Sequence, residues 1–266
     1  MPKKRILMTP ADFFGIEYEI NAWMHQDDQV DRAKAIRQWQ NVYDIYTNQL
    51  GWDVELAKPV EHLPDMVFST DCCLMIDGKI LLSNFRYPER QPESAHFEQW
   101  FKDHDYTDIR QAKSKFEGGG DNLVCGDKIL AGYGFRSDEG AADELRTYFK
   151  REVVQLHLVD PFFYHLDTAV AVLSEDCVAF YPPALDQTSQ KRLRAAIPNV
   201  IEATLEEAKG FGLNAVSDSQ TIITSNESES LLQKYREAGF TVIGTSILEF
   251  RKSGGGVKCM TLTLRD

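Results

Sequence analysis

Short apolar runs recur along this chain in pairs, each pair joined by a tight polar turn. Cys72–Ile76 meets Ile80–Asn84 across Asp77-Gly78, and Asn122–Val124 meets Ile129–Gly132 across Gly126-Asp127. Ala169–Leu173 and Val178–Tyr181 flank Glu175-Asp176, while Asn214–Val216 and Thr221–Thr224 flank Asp218-Ser219. Each pair predicts a β-hairpin, the first on its Asp-Gly turn and the others on weaker turn chemistry. After every hairpin the apolar period lengthens to that of a helix. The helical runs are Ser94–His104 (Phe97, Trp100 and Phe101 on one face), Glu139–Lys150, Ser189–Ala196 and Glu229–Gly239. A strand-like run then closes each unit: Asp108–Gln111, Val153–Val159, Val200–Thr204 and Thr241–Thr245.

The N-terminal part supplies a fifth unit, with helix Asp31–Leu50 and strand Trp52–Ala57. Its hairpin needs one strand from each end of the chain, Arg5–Thr9 and Cys259–Arg265. Asp71, Asp121, Asp167, Asn214 and Cys259 mark the five units at intervals of roughly 45–50 residues, within the range of repeat architectures. Five ββαβ-like repeats closing through both termini predict an α/β ring with pseudo-fivefold symmetry, helices outside and strands around a central site. No Pro-rich or low-complexity stretch divides it, so residues 1–266 count as a single domain.

Composition narrows the picture. Of the 266 residues 43% are apolar, enough for a real core. A net charge of −12 argues against nucleic acid, which needs a basic face; it can steer a cationic ligand, with solubility alone as the plainer reading. No apolar run is long enough for a bilayer, and no signal-type apolar region follows the basic start. Five cysteines without framework spacing fit a reducing compartment, with the cytoplasm as the expected location.

In such a ring the residues that open the hairpins meet near the axis. They are Asp71, Asp167, the turn Glu117-Gly118-Gly119-Gly120-Asp121, His165 and Cys259. A purely structural ring has no reason to place charge at successive apices. Gly254-Gly255-Gly256 lets the backbone turn just before Cys259, which is expected at the mouth of a strand. The spacing of His165 and Asp167 predicts both on one face of a strand. A thiol becomes a useful nucleophile when a nearby cation lowers its pKa. Acidic neighbours raise it, so a Cys–Asp–Asp set makes chemical sense with a positive ligand between them. A planar guanidinium, gripped by paired charge-assisted hydrogen bonds, is such a ligand.

Taken singly, each residue has a plainer reading: a structural thiol, a satisfied core histidine, an acidic glycine turn, surface ion-pair arginines. Cys72, Cys73, Cys125 and Cys177 keep that reading. Asn214 is expected to shape its loop rather than touch substrate.

Together, Phe116-Glu117-Gly118-Gly119-Gly120-Asp121, His165-Leu166-Asp167, Val67-Phe68-Ser69-Thr70-Asp71 and Gly255-Gly256-Val257-Lys258-Cys259 resemble the guanidine-modifying enzymes. That superfamily of arginine deiminases, dimethylarginine dimethylaminohydrolases and amidinotransferases has the five-bladed α/β-propeller (pentein) fold. The resemblance spans nearly the whole chain. It implies that Cys259 attacks the guanidinium carbon to form a thiouronium adduct, that His165 is the acid and base, and that Glu117 pairs with that histidine. It implies Asp71 and Asp167 as the pair holding guanidinium nitrogens. Arg90 and Arg136 match positions that bind the substrate α-carboxylate, and Asp65 one that contacts the α-amino group. No metal or organic cofactor is implied, and the partner is a small guanidine. The assembly stays open, a homo-oligomer included.

The chain is too short for the helical insertion of arginine deiminases. It carries Thr70 and Asp167 where dimethylarginine hydrolases have glutamate and lysine. The run from Met8-Thr9-Pro10 to Trp23-Met24 most resembles the arginine dihydrolases, which have asparagine in place of Asp71. The expected function is hydrolysis of arginine or a close analogue to citrulline and ammonia or an amine. The alternatives are a dihydrolase making ornithine, an amidinotransferase, and a non-catalytic pentein that binds or senses a ligand.

Overall fold

The computed structural model describes residues 3–265. Its β-structure consists of five three-stranded sheets with one plan: an antiparallel pair, then a parallel third strand reached through a helix. Strands β1 (Arg5–Met8) and β2 (Asp53–Leu56) belong to the sheet that both chain ends share. The next three sheets are β3 (Cys73–Ile76), β4 (Lys79–Leu82) and β5 (Ile109–Gln111); β6 (Asn122–Cys125), β7 (Lys128–Tyr133) and β8 (Glu152–His157); and β9 (Val170–Val172), β10 (Cys177–Phe180) and β11 (Asn199–Glu202). A fifth contains β12 (Val216–Ser217), β13 (Thr221–Ser225) and β14 (Thr241–Thr245). The last strand, β15 (Leu262–Leu264), returns to pair antiparallel with β1, Arg5 opposite Leu264.

Five helices make the parallel crossovers: α1 (Arg32–Asp44), α2 (Glu93–Asp103), α4 (Ala141–Phe149), α6 (Gln187–Ala196) and α8 (Glu229–Glu237), with the short α3 (Gly118–Asp121), α5 (Leu166–Ala169) and α7 (Leu205–Lys209) between them. Each crossover buries one stripe of side chains, such as Ala35, Trp39 and Val42 on α1 and Leu231, Leu232 and Tyr235 on α8. Starts are fixed locally: Asp31 caps α1 through the Lys34 N–H, and Asp186 caps α6 through the Ser189 N–H. The β3–β4 hairpin turns on Asp77 and Gly78, both at positive φ, as its Asp-Gly sequence predicts.

Predicted helices and crossover strands agree with those found to within a few residues. Two expectations fail at the hairpin mouths. Cys259 does not open a strand: residues 257–260 form a turn, with the Thr261 N–H donating to the Lys258 carbonyl, and β15 begins only at Leu262. His165 and Asp167 do not share a strand face, because His165 caps α5 and Asp167 lies inside it. Asp71 likewise sits in a tight helical turn, Ser69–Cys72, ahead of β3. Such turns gather side chains and amides at one point, which an extended strand with alternating side chains does not.

One cavity is lined by residues of β3, β6, β9, β12 and β15, the first strand of each repeat when the repeat shared by both chain ends is followed from β15 through β1 to β2. The irregular stretch 9–31 crosses the molecule beside the hairpin mouths. It is held by Phe14 stacked on Phe250 at 4.7 Å and by Asn21, whose Nδ2 donates to the Ser253 carbonyl at 3.1 Å. Among the described residues no helix is long and apolar enough to cross a membrane.

Candidate active site

The helical turns deliver most of the predicted site residues to one buried cluster. Cys259, His165, Glu117, Asp71, Asp167, Asp65, Arg90 and Arg136 are all buried, with relative exposures of 2% or less. The Cys259 thiol donates to Asp167 Oδ2 at 3.3 Å. His165 Nε2 lies 2.7 Å from Glu117 Oε2, and its Nδ1 lies 3.7 Å from Asp71 Oδ1.

The glycine turn is what allows this approach. A Cβ on Gly120 would stand 2.3 Å from Asp71 Oδ1 and 3.0 Å from His165 Nδ1. At Gly118, φ is +36° and a Cβ would meet the Asp71 carbonyl at 2.6 Å. Asp121, at the end of the same turn, accepts from the backbone N–H groups of Leu166 and Ser137 at 3.2 and 3.0 Å and so ties α3 to α5.

Burial alone would lower the His165 pKa, but Asp71, Glu117 and Asp121 outweigh it and push it up to about 9. The ring is therefore an imidazolium at neutral pH and can give a proton. Burial opposes a charged Glu117 as well, yet Arg136 and His165 hold its carboxylate well below the usual range. Burial, helped by Asp71 and opposed by Lys258, pushes Asp167 up to about 7. Burial and the carboxylates of Asp167 and Asp71 push the Cys259 thiol well above its ordinary value. Two carboxylate oxygens in the cluster, Asp71 Oδ1 and Asp167 Oδ1, are buried with no hydrogen-bond donor among the described residues. Buried acceptors are normally satisfied, so this pair stands apart from the other carboxylates of the cluster.

Arg90 and Arg136 are neither surface ion-pair partners nor idle. Arg90 makes a fork to Glu93 at 2.9 Å on both bonds and donates to Asp71 Oδ2 at 2.7 Å. Arg136 donates to Glu117 Oε2 at 2.8 Å and to the Ile20 carbonyl at 3.1 Å, between the rings of Tyr87 and Tyr164. Asp65 accepts from the Tyr18 hydroxyl at 3.0 Å and the Ser253 hydroxyl at 3.3 Å, and burial raises its pKa.

Sequence reasoning missed several members. Asn214 does shape its loop, accepting from the N–H groups of Lys258 and Cys259 at 2.9 and 3.2 Å. Its Nδ2 also donates to the Cys259 sulfur and to the Asp167 carbonyl, each at 3.1 Å. Its place as the fourth marker in the repeat was the available signal. Glu93 was overlooked although Arg90 and Glu93 stand three apart, a spacing that pairs charges across a helical turn. Nothing in the sequence distinguishes Tyr18.

A family model described as "N,N dimethylarginine dimethylhydrolase, eukaryotic" matches residues 12–265. The chain belongs to this family. It is 39% identical over 261 residues to N(G),N(G)-dimethylarginine dimethylaminohydrolase of Mycobacterium tuberculosis, covering 98% of this chain and 86% of that protein. It is 37% identical over 268 residues to the bifunctional arginine dihydrolase/ornithine cyclodeaminase ArgZ of Synechocystis, covering 98% of this chain but only 38% of ArgZ. The crystal structure of the substrate-bound N-terminal domain of ArgZ superposes with a TM-score of 0.94 at 36% identity, covering 99% of both chains. The chain is thus similar both to a protein named for methylated arginines and to one named for arginine itself.

Proposed function

We propose that this protein hydrolyses the guanidinium group of arginine or a close analogue, through a covalent adduct on Cys259. The observation that carries the reading is the pair of donorless oxygens, Asp71 Oδ1 and Asp167 Oδ1, beside a thiol bonded to Asp167. A guanidinium offers N–H donors in one plane for both free oxygens and a positive charge between the two carboxylates. Its arrival also favours the Cys259 thiolate, which the two carboxylates otherwise suppress, and the thiol proton leaves to solvent as the cation binds.

The thiolate then attacks the guanidinium carbon, and the His165 imidazolium protonates the departing nitrogen, which leaves as ammonia. Neutral His165 takes a proton from water, water adds to the thiouronium carbon, and cleavage of the C–S bond releases citrulline and restores the thiol. Glu117 holds the ring in place and supports its charge. Each methyl on the guanidinium removes an N–H donor and leaves a carboxylate oxygen unpaired, at a cost of about 1–3 kcal/mol. Unmethylated arginine is the better fit.

Asp65, Arg90 and Arg136 are the proposed contacts to the α-amino and α-carboxylate groups. Arg136 now spends a donor on the Ile20 carbonyl, so movement of the 9–31 stretch both uncovers the buried cluster and frees that donor. The five sheets are read as a closed five-bladed propeller, supported by the cavity that all five first strands line. Five buried free thiols fit a cytoplasmic setting.

A second reading, arginine dihydrolase, is favoured by the similarity to ArgZ. Incubation with arginine, monomethylarginine and asymmetric dimethylarginine, followed by assay of citrulline, ornithine and ammonia, separates the two. Citrulline with one equivalent of ammonia supports the first reading; ornithine with two supports the second. Absence of turnover on all three, or turnover retained by Cys259→Ser, overturns both.

A further inference from the structure

The cavity shared by the five first strands has a volume of about 90 Å³, room for a few waters or a small ion at about 30 Å³ per water. None of Asp71, Glu117, His165, Asp167 or Cys259 lines it, but their chain neighbours Thr70, Gly119 and Lys258 do. Its charged lining is wholly cationic: Lys4, Lys258 and Arg265. Lys4 donates to the Ser217 carbonyl, and Lys258 to the Thr70 hydroxyl and, at 3.5 Å, to the Gly119 carbonyl. These acceptors are neutral, and among the described residues neither lysine has a carboxylate ion-pair partner. Burial, together with Arg265 and Lys258, lowers the Lys4 pKa to about 8, and Asp218 only partly opposes them.

In a chain of net charge −12, three cations lining one cavity need a reason. The general field of the protein repels anions, so an anion held here is held by the local site. Asp167 and Asp71 partly offset the charge of Lys258, Asp218 that of Lys4 and Asp77 that of Arg265. Among the described residues no carboxylate lines the cavity itself, and a ligand of opposite charge there lowers the repulsion among the three cations.

We propose that this cavity binds a small oxyanion, inorganic phosphate or a simple carboxylate, between Lys4, Lys258 and Arg265. The site is independent of the reaction proposed above. The hydroxyls of Thr70 and Thr263 and the Lys4 and Lys258 ammonium groups supply donors, and Arg265 supplies a planar fork from the exposed end of the chain.

Isothermal titration of phosphate, sulfate and acetate into the full chain, at constant ionic strength, tests it. Wild-type protein is expected to bind at least one of them saturably with a stoichiometry of one. Lys4→Gln and Arg265→Gln each remove a charged donor and are expected to weaken binding about tenfold or more, while turnover measured without the anion stays at the wild-type level. A preference for phosphate over acetate identifies a phosphate site, and the reverse a carboxylate site; both support the proposal. No saturable heat with any of the three, or binding unchanged in both variants, overturns it. If Lys4→Gln fails to fold, Arg265→Gln decides alone, and anion-induced thermal stabilisation of the wild type gives the second readout.

Discussion

Replacing Glu117 with Gln keeps the size of the side chain and removes its charge. Glu117 Oε2 faces His165 Nε2 at 2.7 Å and Arg136 Nη1 at 2.8 Å, and Oε1 accepts from the Arg86 N–H at 3.1 Å. Burial would depress the His165 pKa below its ordinary 6.5; Asp71, Glu117 and Asp121 carry it instead to about 9. That rise corresponds to roughly 3 kcal/mol of preference for the imidazolium in the folded state. Because the folded value is raised, this stabilisation is fully present below 6.5 and is lost as pH rises through about 9.

Without the Glu117 charge, His165 is expected to titrate at least about one unit lower, because the lost carboxylate is the one hydrogen-bonded to the ring. Arg136 is also left buried beside an amide, at a cost of about 3–5 kcal/mol, within a total stability of about 5–15. Urea unfolding across a pH series measures the second effect and the pH slope. The pH profile of kcat/KM, whose basic limb reports the free enzyme's acid, measures the first. In the wild type that limb is expected near 9, and in Glu117→Gln clearly below it. A variant with the same limb and the same stability slope would show that Glu117 does not set the charge of His165, and the assigned acid would have to be abandoned.

Further outcomes follow from the same geometry. In the wild type the acidic limb of kcat/KM is expected near 7, where Asp167 gains a proton and loses its grip on a cation; activity undiminished well below that pH contradicts the role given to Asp167. Gly120→Ala places a methyl 2.3 Å from Asp71 Oδ1 and is expected to reduce turnover at least about 100-fold, as misplaced catalytic groups do, with far-UV circular dichroism unchanged. Asn214→Ala strips the Lys258 and Cys259 N–H groups of their shared acceptor; a loss of roughly 2–4 kcal/mol in urea unfolding is expected, and no measurable loss would mean that the loop holds itself. At neutral pH neutral iodoacetamide is expected to label Cys259 slowly and a cationic haloacetamidine much faster, read by mass spectrometry of the C-terminal peptide; equal rates would deny a cation-binding pair of carboxylates.

The alternation of apolar runs, the turn residues between them and the change to helical period are local signals. They determined the five repeats, the order of strands and helices, and even the pairing of the two chain ends, seen as β1 against β15. The motif residues were legible too, because a thiol, an imidazole and carboxylates at repeated positions have no structural purpose. What they do to one another was not. Whether Cys259 opens a strand or a turn depends on the Asn214 side chain that accepts from its N–H, 45 residues away in the chain. Whether Arg90 and Arg136 lie on the surface or beneath it depends on the Glu93, Asp71 and Glu117 carboxylates they meet. Such contacts join residues far apart in sequence, and their energy exists only once water is excluded and the local dielectric has fallen. The direction of each pKa shift, the two unpaired carboxylate oxygens and the cationic cavity behind them are therefore properties of the closed fold rather than of any segment of the chain.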